Sequence, residues 1–160
     1  GLEAPKYAET LHLPFGLKGY FDYDQALRVA KAADKPLFID FTGHGCTNCR
    51  NVENAVWIDP RVQERFKNEL ILSALYVDDK IVVLDEEDQI LDNEPITKLG
   101  KKNYFISNTK YSVNSQPTYL IVDHDGSVLA GPIAYELNVD NYLKFLDEGI
   151  AAFKKKHNKE

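Results

Sequence analysis

The only two cysteines among 160 residues, Cys46 and Cys49, stand three apart in the stretch FTGHGCTNCRN. Such a pair can serve as a stapled turn, as half of a metal site, or as a dithiol that cycles with a disulfide. Zinc asks for four ligands, yet there is no second Cys-x-x-C, and the four histidines (His12, His44, His124 and His157) are scattered with no ligand spacing. No residue is therefore assigned to a metal. A chain of this size can build its core without staples, and two cysteines are too few for a disulfide-held scaffold. Redox exchange is the favoured chemistry, with an inert disulfide as the plain alternative.

Roles for the two sulfurs follow from the elements around them. PLFIDF (36–41) is an apolar run of strand length, and the glycines after it announce a turn. From Cys46 the periodicity becomes helical through Cys49, Val52 and Val56, reaching about Trp57. Cys46 then lies at a helix N-terminus, where unpaired N–H groups and the helix dipole favour an anion and raise its thiolate fraction. Cys49 falls on the same face inside the first turn and should be the more buried, so Cys46 attacks and Cys49 resolves. Resolution needs a proton acceptor, because a buried thiol is disfavoured as the anion. Asp40 is the one charged residue of the strand, and alternation points it away from the faces of Ile39 and Phe41. Desolvation would raise its pKa toward that of a base working near neutrality. The bland reading of Asp40 is a structural acid held by backbone donors. Glu53 follows Cys49 by four residues, one turn along the same face, where it shares that proton, tunes the cluster or simply faces solvent. His44 reads as loop lining, and Trp57 with Val56 as core.

With 44% hydrophobic residues, eight Phe and nine Tyr, the chain can fill one sizeable core, so one domain is expected. Acidic residues outnumber basic ones by 25 to 19 with no basic stripe, which argues against nucleic acid as a partner. Apolar runs such as LILSALYV (70–77) fall well short of the roughly 20 residues that span a bilayer. There is no Met, so the segment reads as a mature or excised piece, and missing targeting signals say nothing about its compartment. Residues 1–16 read as an N-terminal arm or linker and 17–160 as the domain. The expected order is a short strand at 17–21, a helix at 23–33 and the strand at 36–41. The cysteine helix follows, then a short helix opened by Asp59-Pro60 and the strand LILSALYVD. A polar insertion, about 78–103, comes after this third strand, with a small hairpin around IVVLD. A hairpin over 117–135 and a helix at 139–155 complete an α/β domain, a central mixed sheet flanked by helices.

IDFTGHGCTNC resembles the strand, loop and Cys-x-x-C helix of the thioredoxin superfamily, with Asp40 six residues before Cys46 where thioredoxins carry a buried acid. SQPTYLIVD resembles the segment holding that family's cis-proline, here Pro117, and the element order matches over roughly residues 20–153. KPLFIDFTGHGCTNCRNVE, the acid at Glu53 and VWIDPRVQERF are similar to the C-terminal periplasmic thioredoxin-like domains of DsbD-type transmembrane thiol:disulfide interchange proteins. The resemblance implies a thioredoxin-like fold and a thiol:disulfide oxidoreductase whose only cofactor is the Cys46–Cys49 pair. It implies a monomeric periplasmic domain, tethered to the inner membrane in the full protein. Such a domain takes electrons from a membrane-embedded donor domain and passes them to a periplasmic acceptor. Cys46 would form each mixed disulfide, Cys49 would resolve it, and Gln116 with Pro117 would dock the incoming chain. Gly45 replaces the Trp of thioredoxins, and Thr47-Asn48 replaces Gly-Pro. These three residues would shape the substrate rim and make the reduction potential this chain's own. The rival readings are a stand-alone extracytoplasmic reductase, serving for example cytochrome c maturation, an oxidase or isomerase, and a partner-binding module with a structural disulfide.

Overall fold

The computed structural model describes residues 2–159, so Gly1 of the expected arm and Glu160 at the end of the expected domain lie outside the described residues. In chain order the elements are α1 (Tyr23–Ala33), β1 (Leu37–Thr42), α2 (Thr47–Val52), α3 (Pro60–Asn68) and β2 (Ile71–Tyr76), then β3 (Ile90–Leu91), β4 (Pro95–Ile96), α4 (Leu99–Tyr111), β5 (Thr118–Val122), β6 (Val128–Ile133) and α5 (Val139–Lys156). Four strands form one mixed sheet in the order β2-β1-β5-β6. β2 runs parallel to β1, while β5 and β6 are antiparallel to their neighbours. All six residues of β1 are buried, as a central strand covered on both faces requires.

Alternation along β1 feeds two cores. Leu37, Ile39 and Phe41 pack with Ala26, Val29 and Ala30 of α1 and Ile106 of α4. Phe38 faces the other way into Val56, Trp57, Val62, Phe66, Tyr142 and Leu146, so the cysteine helix, α3 and α5 cover that side. Asp22 starts α1 by accepting from the Gln25 N–H, and Asp59 caps α3 with Pro60 in its first turn. Among the described residues, no helix is long and apolar enough to cross a membrane.

Four local features depart from expectation. The strand expected at 17–21 shrinks to one parallel bridge, Tyr20 to Ser73, because the Asp22 cap turns the chain into α1 at once. The cysteine helix does not continue as regular α-helix: Glu53–Trp57 forms a π-helical turn. The insertion's hairpin is β3–β4, and the IVVLD stretch contributes only a bridge from Val83 to Lys98. Helix α4 begins inside the segment expected to be irregular. Its buried side carries Lys102, Asn103 and Ser107 beside Leu99 and Ile106, which hides the apolar period from the sequence. Most of these polar groups find partners: Lys102 donates to Asp22 at 2.6 Å and Asp24 at 2.8 Å, and Asn103 Nδ2 donates to the Tyr76 carbonyl at 3.2 Å, while Asn103 Oδ1 has no partner among the described residues.

Residues 2–16 lie against this frame. Leu11 and Leu13 are buried in the core under α3, and the Tyr76 hydroxyl donates to the His12 carbonyl at 3.0 Å. Lys6 and Tyr7 reach Asp88 in the insertion, each at 2.5 Å.

Candidate active site

β1 delivers the chain to residues 43–45, and Cys46 then caps α2, its Sγ accepting from the Cys49 N–H at 3.1 Å. The two sulfurs are joined as a disulfide. Cys46 is half-buried and Cys49 fully buried, while Gly45, Thr47 and Asn48 are exposed around the outer sulfur. The Gln116–Pro117 bond is cis, and so is Gly131–Pro132, which no sequence feature suggested. Register pairs Phe41 with Thr118, which sets Gln116 and Pro117 beside the end of β1 where the cysteine loop begins. Pro117 is buried and Gln116 half-buried.

In the strand that leads to the cysteine loop, Asp40 is 1% exposed, and its Oδ1 has no hydrogen-bond partner among the described residues. Burial, then the neighbouring Glu53 charge, push its carboxyl well above the usual range, with Arg50 pulling the other way. Glu53 is itself buried, at 6% exposure, so it does not face solvent. Burial raises its carboxyl against the pull of Arg50. Tyr119 pairs with Asp40 across β1–β5, and Tyr142 accepts from Trp57 Nε1 at 3.1 Å, giving the acid an aromatic surround.

Arg50 completes the cluster and was missed in the sequence. Its guanidinium donates to Thr42 Oγ1 at 2.9 Å and to Glu53 Oε2 at 3.0 Å, tying the end of β1 to the π-helical turn. The only signal was its position three residues before Glu53, an ordinary helical pairing distance. In the sequence, Asp78 and Asp79 only open a polar insertion. Asp78 accepts from the His44 N–H at 2.8 Å and the Gly45 N–H at 3.1 Å. The His44 ring bonds Asp79 at 2.9 Å and stacks on Tyr76 with centroids 4.3 Å apart, so it does more than line the loop.

The histidines are less scattered than their spacing suggests. His124 and His157 meet at Asp123, each with a ring nitrogen within 4.8 Å of its carboxylate. Asp123 Oδ1 already bonds the His124 N–H and His157 Nε2, both at 2.8 Å, and Lys156 pairs with Oδ2 at 3.1 Å. His124 Nε2 is bonded to the Lys35 carbonyl at 2.9 Å. This network fastens the end of α5 to the turn between β5 and β6.

A buried thiol partner behind a half-exposed sulfur, with an unpartnered carboxyl in the same layer, is an arrangement for dithiol–disulfide exchange. Comparison with known proteins agrees. The family described as "Thioredoxin-like domain" matches residues 23–149. No curated protein sequence matches the chain. Among solved structures, a protein described as "DsbH Oxidoreductase" superposes with a TM-score of 0.62 at 18% identity, covering 89% of this chain and 92% of that one. A thioredoxin from Thermus thermophilus gives 0.59 at 19%, covering 82% and 86%. The reduced C-terminal domain of DsbD from Neisseria meningitidis gives 0.52 at 13%, covering 78% and 90%. At these identities the likeness is one of fold.

Proposed function

The chain belongs to the thioredoxin-like domain family, and its close-spaced cysteine pair makes it a thiol:disulfide oxidoreductase; from that premise we propose that it relays electrons between protein partners as the C-terminal domain of a DsbD-type transmembrane reductase, on the periplasmic side of the inner membrane. The observation that carries the relay chemistry is the asymmetry of the pair, a reachable Cys46 over a fully buried Cys49. The resemblance of residues 35–53 to DsbD-type domains supplies the partner assignment: a membrane-embedded donor and a periplasmic acceptor.

In the outward half-cycle the Cys46 thiolate attacks the acceptor's disulfide. A Cys46–acceptor disulfide forms and the acceptor's first sulfur leaves as thiolate. Asp40 then takes the Cys49 proton, and the Cys49 thiolate attacks Cys46 Sγ. That step closes the Cys46–Cys49 disulfide and releases the acceptor's second thiolate. Two electrons have passed outward, and the donor restores them by the reverse sequence, in which Asp40 returns its proton to Cys49. Gln116 and Pro117, with Gly45, Thr47 and Asn48, form the rim on which each partner docks.

The test is the reduction potential of the pair, measured by equilibration in graded thiol buffers and trapping of free thiols. A value at or somewhat above about −270 mV is expected of a reductant passing electrons outward. A value near about −120 mV would mark an oxidant and overturn the relay. Resistance to reduction below about −300 mV would make the pair structural.

A further inference from the structure

The polar segment after β2 begins with a device aimed at the cysteine loop. A turn that precedes a nucleophile at a helix start exposes backbone N–H groups, and successive N–H groups of this kind gather anions. Here the N–H groups of His44 and Gly45 are already taken by one carboxylate, that of Asp78, at 2.8 and 3.1 Å. Glycine at position 43 lets the carboxylate come this close, since a Cβ there would stand 3.1 Å from Asp78 Oδ2. The neighbouring Asp79 fixes the clamp from behind. Its Oδ1 holds the His44 ring, its Oδ2 accepts from the Val82 N–H at 2.8 Å, and its backbone packs against Gly100 of α4.

We infer that Asp78 is a positioning residue for Cys46, holding the loop through its two N–H groups and placing a fixed negative charge beside the nucleophile that opposes its thiolate. The inference rests on the oxidoreductase reading and adds a regulator to it. Against burial, which works upward, the two N–H groups hold the Asp78 carboxyl below its ordinary range, so the charge is present at neutral pH. The other titratable or charged side chains of this region are His44 and Asp79 on the loop side, Arg50 and Glu53 from the helix, and Asp40 from β1. Of these, Arg50 and Glu53 pair with each other, and His44 pairs with Asp79. That leaves Asp78 as the anion whose hydrogen bonds go to the backbone of the cysteine loop.

Two measurements on the reduced protein test this. In the unaltered chain, amide resonances of His44 and Gly45 followed by NMR as pH falls should move together through a single acidic titration. If neither amide moves, the clamp is absent and the inference fails. In Asp78→Asn, which keeps an acceptor but loses the charge, the pH profile of Cys46 alkylation by iodoacetamide should shift to lower pH. At a fixed pH below the thiol midpoint the rate should rise about threefold, the order of effect expected of one screened unit charge near the thiol. Asp78→Glu should return the profile toward that of the unaltered chain. A folded Asp78→Asn protein whose profile superimposes on the original, or an equal shift in Asp78→Glu, would overturn the role. Alkylation needs no protein partner. A chain that shows these shifts yet exchanges with no donor or acceptor would lose the relay reading and keep this one.

Discussion

Replacing Asp40 by asparagine separates what this carboxyl does for chemistry from what it does to the fold. If Asp40 accepts the Cys49 proton, as proposed, it accelerates resolution, and Asp40→Asn should leave the first attack by Cys46 intact. Resolution of the mixed disulfide should slow by roughly 10²-fold or more, measured by stopped-flow with a model disulfide. For stability the sign is opposite. Asp40 keeps its proton to a higher pH folded than unfolded. The stability it contributes is fully present below the unfolded carboxyl's range and is lost as pH rises through the folded value. Asp40→Asn should therefore stabilise the protein at pH 8 by roughly 1–3 kcal/mol, a gain that shrinks toward pH 4, as chemical denaturation at the two pH values would show. The places of Cys46, Cys49 and Asp40 were legible because each depends on local order: strand, turn, helix and a spacing of three. Arg50 and Asp78 were not, since their meaning lies in a guanidinium folded back onto Thr42 and in a carboxylate meeting a loop 34 residues earlier in the chain.

Among the elements, α4 shows most clearly where sequence patterning runs out. Its buried side is built from Lys102, Asn103 and Ser107 as much as from Leu99 and Ile106, and a polar residue pointing inward looks like one pointing outward until its partner is known. Lys102 is fully buried between Asp22, also fully buried, and the half-exposed Asp24, so the helix is pinned to the start of α1 by charge. Burial raises the Asp22 carboxyl even with Lys102 beside it. Lys102→Ala would strand that carboxylate in the interior at a cost of about 3–5 kcal/mol at pH 7, read from urea unfolding. The loss should ease as pH falls and Asp22 takes up a proton; a loss independent of pH would mean the amine matters only for packing. By contrast α1, α3 and α5 were legible, because each carries a regular apolar stripe and a side-chain cap at its start. The π-helical turn after α2 had no such mark: Val52, Val56 and Trp57 suit an α-helix equally well on spacing alone.

At the scale of the molecule, β1 serves both cores, giving Phe38 to one and Leu37, Ile39 and Phe41 to the other, and its neighbours β2 and β5 likewise place residues in each. The layers are also joined at their margins, where the Asp123 network ties α5 to the hairpin turn and Lys35, and the arm bridges α1, β2 and the insertion. The mixed sheet flanked by helices was legible from strand–helix alternation followed by a hairpin. The two-residue strands of the insertion were not, being too short to carry a pattern. Trp57, the single tryptophan of the sequence, is wholly enclosed by Phe38, Phe66, Tyr119 and Tyr142. Its emission is thus a spectroscopic witness to one layer only, while far-UV circular dichroism averages over both. If the shared strands make the domain a single cooperative unit, the two signals should trace one superimposable melting curve. A tryptophan transition that came first would mean that the layer carrying the disulfide can loosen while α1 and α4 stay folded on their side of the sheet.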